Sequence, residues 1–155
     1  MISDIKKING GYKMKKVNVI YWSGTGNTER MAEALVRGAE AEGAEVKLIQ
    51  VGSASEDDVK DVERIAFGCP AMGAEELEEM EMRPFMDKVN PLLAGKNVVL
   101  FGSYEWADGE WMRLWQEEVE DTGAKLLADG FAAYDDPDQD ALEECESLGR
   151  DLARS

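Results

Sequence analysis

Ser23-Gly24-Thr25-Gly26-Asn27-Thr28 gathers three hydroxyls, an amide and two glycines between the apolar run Val17-Asn18-Val19-Ile20-Tyr21-Trp22 and a helical pattern. A strand, a tight loop and a helix start, in that order, form the place where a chain most readily holds a phosphate. Backbone N–H groups, hydroxyls and the positive end of the helix dipole all favour an anion there. The hexapeptide has no lysine, which favours a bound cofactor over phosphoryl transfer. A P-loop needs Gly, four residues and then Gly-Lys-Ser/Thr, and Glu29-Arg30 stand where nothing of that kind fits. The dinucleotide fingerprint needs a small residue three positions after Gly26, where Glu29 stands. Asn27 and Thr28 also suit the helix start as capping residues.

The elements that must position this loop alternate along the chain. Short β-rich runs lie at Lys16–Tyr21, Glu45–Val51, Arg64–Gly68, Asn97–Gly102 and Lys125–Ala128, with Phe131-Ala132-Ala133 read as a resumption of the last. Helical stretches lie between or after them near Thr28–Glu42, Asp57–Asp61, Arg83–Leu93, Glu110–Thr122 and Gln139–Ala153. In the first helix Met31, Ala32, Ala34, Leu35 and Ala39 make an inward stripe, while Glu29, Arg30, Glu33, Arg37 and Glu40 look outward and Gly43 stops it. The alternation predicts an α/β domain with a parallel sheet and helices on both faces. Three strands that are apolar nearly throughout are each followed by an unusual segment. Those segments therefore gather at the carboxyl edge of the sheet, where doubly wound folds bind ligands.

At 155 residues and 44% hydrophobic composition the chain is the size of one globular domain, and no apolar run approaches the length needed to cross a bilayer. Residues 1–13 lack the apolar core of a secretory signal and read as a polar, mobile extension, leaving 14–155 as the domain. Seventeen Lys and Arg against 33 Asp and Glu give a net charge of -16. The extension holds three lysines against one aspartate, or +2, so the remainder stands at -18. Such a body repels nucleic acid and anionic membranes and steers toward basic surfaces on partner proteins. Cys69 and Cys145 are the only cysteines and histidine is absent, which all but excludes a zinc or iron–sulfur site within one chain. Two lone thiols point to a reducing cytoplasm, Cys145 as a core residue and Cys69 as packing at a strand end.

Ser23 to Thr28, with Tyr21-Trp22 before them, resemble the phosphate loop of the short-chain, clostridial-type flavodoxins, electron carriers that hold flavin mononucleotide (FMN). Two further segments match in order and spacing: Gly68-Cys69-Pro70-Ala71-Met72-Gly73-Ala74-Glu75 and Phe101-Gly102-Ser103-Tyr104-Glu105-Trp106-Ala107-Asp108-Gly109. The resemblance implies the strand order 2-1-3-4-5. It also implies that Ser23, Gly24, Thr25, Gly26, Asn27 and Thr28 hold the phosphate. Ala71, Met72, Gly73, Ala74 and Glu75, with Ser103, Tyr104, Glu105, Trp106, Asp108 and Gly109, would then grip the flavin ring. Met72 takes the place of the family's inner-face contact, Trp106 that of its outer-face aromatic, and Glu75 that of the acid on the pyrimidine N3–H. Gly73 begins the peptide that turns over on one-electron reduction so that its carbonyl accepts from flavin N5, a movement cheap only without a Cβ.

The implied function is low-potential one-electron transfer between a reductase and acceptor enzymes, cycling between semiquinone and hydroquinone, with no catalytic residue and no metal. One carboxylate about 10 Å from the reduced flavin, at an effective dielectric of about 40, costs roughly 0.8 kcal/mol, or about 35 mV. Glu75, Glu76, Glu78, Glu79 and Glu81 would offer a basic partner a docking surface beside the flavin. Small size and high charge predict a monomer. The chain departs from the family pattern at Ala74, Glu105 and Ala107, where an aspartate and two glycines are usual, which puts the backbone contacts to the flavin's pyrimidine end at issue. An alternative is a flavodoxin-like quinone or nitro-compound reductase, but after five strand–helix units no segment remains for a nicotinamide or substrate pocket. A receiver domain of similar fold would need acids after the first strand and an aspartate after the third, where Trp22-Ser23 and Cys69-Pro70 stand.

Overall fold

Val17, Val19 and Tyr21 pack on one face of the first strand and Ile20 on the other, all of them buried. A strand apolar on both faces needs a layer of helices above and below it, and this chain supplies both. The computed structural model describes residues 14–72, 76–105 and 109–155. Strands β1 (Lys16–Tyr21), β2 (Glu45–Gln50), β3 (Arg64–Gly68) and β4 (Asn97–Tyr104) pair in parallel in the order β2-β1-β3-β4. Strands β5 (Lys125–Leu126) and β6 (Phe131–Tyr134) share the remaining edge of β4, also in parallel. The expected 2-1-3-4-5 order is present, with a sixth strand attached.

That sixth strand is the fifth one resumed. Val98 pairs with Leu126 and Phe101 with Phe131, so three residues along β4 face five along its neighbour. The excess is absorbed as a bulge-like break, and Leu127 N–H still donates to Val98 O at 3.2 Å.

Helix α1 (Asn27–Ala41) buries Met31, Ala32, Ala34, Leu35 and Ala39 as its periodicity requires. It ends in paired bonds from Gly43 N–H to Glu40 O and Ala44 N–H to Ala39 O, with Gly43 at φ 85°. Helix α2 (Asp57–Lys60) is one turn, and its Asp58 carbonyl accepts from the buried Asn18 amide at 2.7 Å. Helix α3 (Met82–Val89) gives way to a 3-10 turn at Asn90–Leu92, short of the expected Leu93, because Pro91 has no N–H to continue the ladder. Helix α4 (Glu110–Glu120) packs Trp111 and Trp115 into the same layer as α3, while α5 (Gln139–Arg154) lies beside α1 on the opposite face.

The helices α1 and α5 approach until side chains no longer fit between them. A methyl added at Gly149 would sit 2.0 Å from Leu35 O, and one at Gly38 would sit 1.9 Å from Glu146 O. Both obstacles are backbone, so the helices would have to part. Gly149→Ala is expected to lower stability by about 1–3 kcal/mol, read as a lower urea midpoint at an unchanged slope.

Glu78 anchors the start of α3. Its side chain, 6% exposed, accepts from Met80, Glu81 and Met82 N–H at 2.8, 2.8 and 2.9 Å. Burial pushes its carboxyl up, but the three backbone N–H bonds outweigh it and hold it below the usual range. A carboxyl lowered in the fold stabilises above its unfolded value, and that contribution fades as pH falls through the folded value. Glu78→Gln should cost about 1–2 kcal/mol at pH 7, and the gap from the parent protein should close as unfolding is measured down toward pH 3.

Candidate functional site

Tyr21, Gly68, Phe101 and Phe131 form one row across the sheet, and beyond it the main-chain ladder continues into the loops. Trp22 N–H donates to Gly68 O at 3.0 Å, Cys69 N–H to Phe101 O at 3.1 Å, and Ala71 N–H to Ser103 O at 3.0 Å. Gly102 permits this closeness, since a Cβ there would lie 2.0 Å from Cys69 O. That same carbonyl accepts from the Trp111 indole at 3.2 Å, which ties α4 to the loop.

In the first loop Ser23 Oγ accepts from Gly26 N–H at 3.1 Å and Glu29 N–H at 3.3 Å, and Thr25 Oγ1 accepts from Asn27 N–H at 3.3 Å. The capping roles expected of Asn27 and Thr28 are corrected by this arrangement. Gly26 occupies the cap with φ 96°, a conformation costly for any residue with a Cβ, so Asn27 and Thr28 are already inside the helix. Thr28 Oγ1 instead meets Ser103 Oγ at 3.1 Å and joins the first loop to the third. Tyr21 donates to Glu29 Oε2 at 2.9 Å, and burial followed by that carboxylate pushes the phenol up to about 12. The single acid of the helix's first turn is thereby tied to β1.

The three loops enclose a cleft of about 660 Å³, open mouth included. Trp22, Gly24 and Thr25 line it from the first loop, Pro70, Ala71 and Met72 from the second, and Ser103, Tyr104 and Glu105 from the third. The Thr25 and Ser103 hydroxyls share this lining with Trp22, Ala71, Met72 and Tyr104, and the first loop leads directly into the start of α1. This donor set fits a flat ring carrying a phosphate. Ser23 to Thr28 would hold the phosphate, with Met72 and Tyr104 along the ring. Among the described residues no group of three or more His, Cys, Asp or Glu is placed to hold a metal ion.

Of the expected ring contacts, Ala71, Met72, Ser103, Tyr104 and Glu105 come together here. Gly109 stands apart as the cap of α4 with φ 86°. Gly73, Ala74, Glu75, Trp106 and Asp108 lie outside the described residues, as does Ala107. Met72 and Glu76 exchange backbone bonds of 2.9 and 3.0 Å and fix both ends of the second loop. Glu105, at a position where the resemblance implied glycine, does not have a positive φ, since among the described residues Asp135 is the one non-glycine that does. Cys69 is buried, and burial above all pushes its thiol up to about 12, as expected of a packing residue. Glu78 leaves the expected acidic surface to serve α3, while Glu76, Glu79 and Glu81 are exposed.

Trp22 and Pro70 line the cleft although the motif reading assigned them no contact. The Trp22 indole donates to Glu81 Oε1 at 3.2 Å and lies against Gly24. The turn after β6 was not foreseen either. Tyr134 meets Tyr104 edge to face at 5.5 Å, and Asp135 N–H donates to Tyr104 O at 2.6 Å. Its signal in the sequence was the turn-forming run Asp135-Asp136-Pro137-Asp138.

Comparison with known proteins agrees with this geometry. The family described as Flavodoxin matches residues 19–149. The flavodoxin of Megasphaera elsdenii is 44% identical over 139 residues, spanning 90% of this chain and 99% of that protein. The flavodoxin of Clostridium beijerinckii is 38% identical over 137 residues, spanning 88% and 99%. The solution structure of two-electron reduced Megasphaera elsdenii flavodoxin superposes with a TM-score of 0.82 over 90% of this chain and 99% of that one. A two-faced parallel sheet, three loops converging at its carboxyl edge and this likeness along nearly the whole domain give one conclusion: the chain belongs to the flavodoxin family.

Proposed function

We propose that this protein binds FMN in the three-loop cleft and carries single electrons at low potential between a reductase and acceptor enzymes. The observation that carries the reading is the cleft's mixed lining, in which the Thr25 and Ser103 hydroxyls stand with Trp22, Ala71, Met72 and Tyr104 beside a first loop that leads into the start of α1. Bound there, FMN would supply the one-electron chemistry, and the protein would set its energy. Ser23, Thr25 and Thr28 offer hydroxyls to the phosphate, and Met72 packs a soft thioether along the ring. Gly73 is assigned the carbonyl that meets flavin N5, within a loop whose ends at Met72 and Glu76 are fixed by reciprocal bonds.

A first electron taken up with a proton would add no net charge to bound FMN, whereas a second electron added alone would leave an anion that the net charge of -16 disfavours, which favours cycling between the one-electron and fully reduced forms. Glu76, Glu79 and Glu81, exposed beside the second loop, are the surface where a basic redox partner would dock, and its reduction should slow as salt rises. The two buried free thiols suit a reducing compartment. Among the described residues no helix is long and apolar enough to cross a membrane.

Anaerobic stepwise reduction of the FMN-loaded protein, followed by its visible spectrum, tests the proposal. The expected course is a long-wavelength band that grows during the first electron and bleaches only at low potential. Passage straight to the two-electron form would favour a reductase, and failure to bind FMN would end both readings.

A further inference from the structure

The first loop lacks lysine, yet a cation stands over it. Arg30, one turn into α1, donates from its guanidinium to Asn27 Oδ1 at 2.5 Å and to Asp136 Oδ1 in the turn between β6 and α5. Its Nη1 lies 3.4 Å from where a Cβ on Gly26 would be, so the charge overhangs the helix cap. Arginine has donors and no acceptor, which fixes the orientation of Asn27: the oxygen faces Arg30 and the amide NH2 is the end left for another partner. Asn27 is 8% exposed, and its Nδ2 donates to nothing among the described residues. The guanidinium therefore does two things at once. It presents an amide donor at the loop, and it places a positive charge beside the helix N-terminus in a chain of net charge -16.

Resting on the FMN reading above, we propose that Arg30 is the positioning residue that makes the first loop prefer a phosphorylated flavin over an unphosphorylated one, and that Asp136 holds its charge in check. A phosphate carries close to two negative charges at neutral pH, and Arg30 and Asn27 act on that group alone. Asp136 is shared in the opposite sense. Its carboxylate orients the guanidinium but also repels the phosphate, so neutralising it should strengthen phosphate binding. A clamp that merely joined α1 to the β6–α5 turn would weaken on losing either partner, and it would weaken toward both flavins.

The test is fluorescence titration of the apo-protein with FMN and with riboflavin for the parent, Arg30→Ala and Asp136→Asn, at low and moderate salt. Thermal melts of the apo-forms report that each is folded. Arg30→Ala should weaken FMN about tenfold at low salt and leave riboflavin within about twofold, the gap narrowing as salt rises. Asp136→Asn should tighten FMN by about threefold and leave riboflavin unchanged. Loss of FMN affinity in both variants, or equal changes for both flavins, would overturn the proposal and leave a structural clamp. A parent protein that binds neither flavin would instead overturn the functional reading on which it rests.

Discussion

The site depends on a main-chain ladder that does not stop where the strands stop. Past the row Tyr21, Gly68, Phe101 and Phe131, bonds from Trp22, Cys69 and Ala71 carry the pairing one to three residues into the loops. Each loop therefore leaves the sheet with its first residues already placed, and the cleft inherits the rigidity of the buried strands. A Cβ at Gly102 would strike the Cys69 carbonyl and one at Gly68 the buried Phe101 ring, which is why glycines stand at both places. Hydroxyl and aromatic contacts then finish the work, Thr28 against Ser103 and Tyr104 against Trp111 and Tyr134.

Electrostatics at the cleft run against the charge of the whole. The protein is strongly acidic, yet the first loop is built from hydroxyls, a helix start and an overhanging arginine, while the acid of the first turn is tied to Tyr21. Elsewhere carboxylates are placed by function of a different kind. Glu78 turns inward to receive three backbone N–H groups, whereas Glu76, Glu79 and Glu81 are exposed, Glu81 with one oxygen on the Trp22 indole. Neighbours in sequence thus serve opposite ends, one holding a helix and the others shaping the field around the cleft.

The strands were legible because β1, β3 and β4 are apolar on both faces, a pattern few other elements produce. The helices were legible from their stripes, as with Met31, Leu35 and Ala39. The three loops could be found because motif and position coincide: each follows a buried strand. What escaped reading depends on contacts distant in sequence. Nothing local announces that Arg30 will reach Asp136, 106 residues away, or that Tyr134 will lie on Tyr104. The roles of Glu78 and Gly26 were hidden for another reason. An isolated glutamate in an acidic run looks solvated, and a glycine cap before Asn-Thr is masked by two residues that usually cap for themselves.

Amide NMR of the 15N-labelled protein during titration with FMN tests most directly whether the carboxyl-edge loops are the cofactor site. Shifts are expected to concentrate at Ser23 to Thr28, Ala71, Met72 and Ser103 to Glu105, with Lys16, Asn18, Lys47 and Asp57 to Asp61 at the opposite edge unmoved. Shifts centred on that opposite edge, or none at saturating FMN, would contradict it.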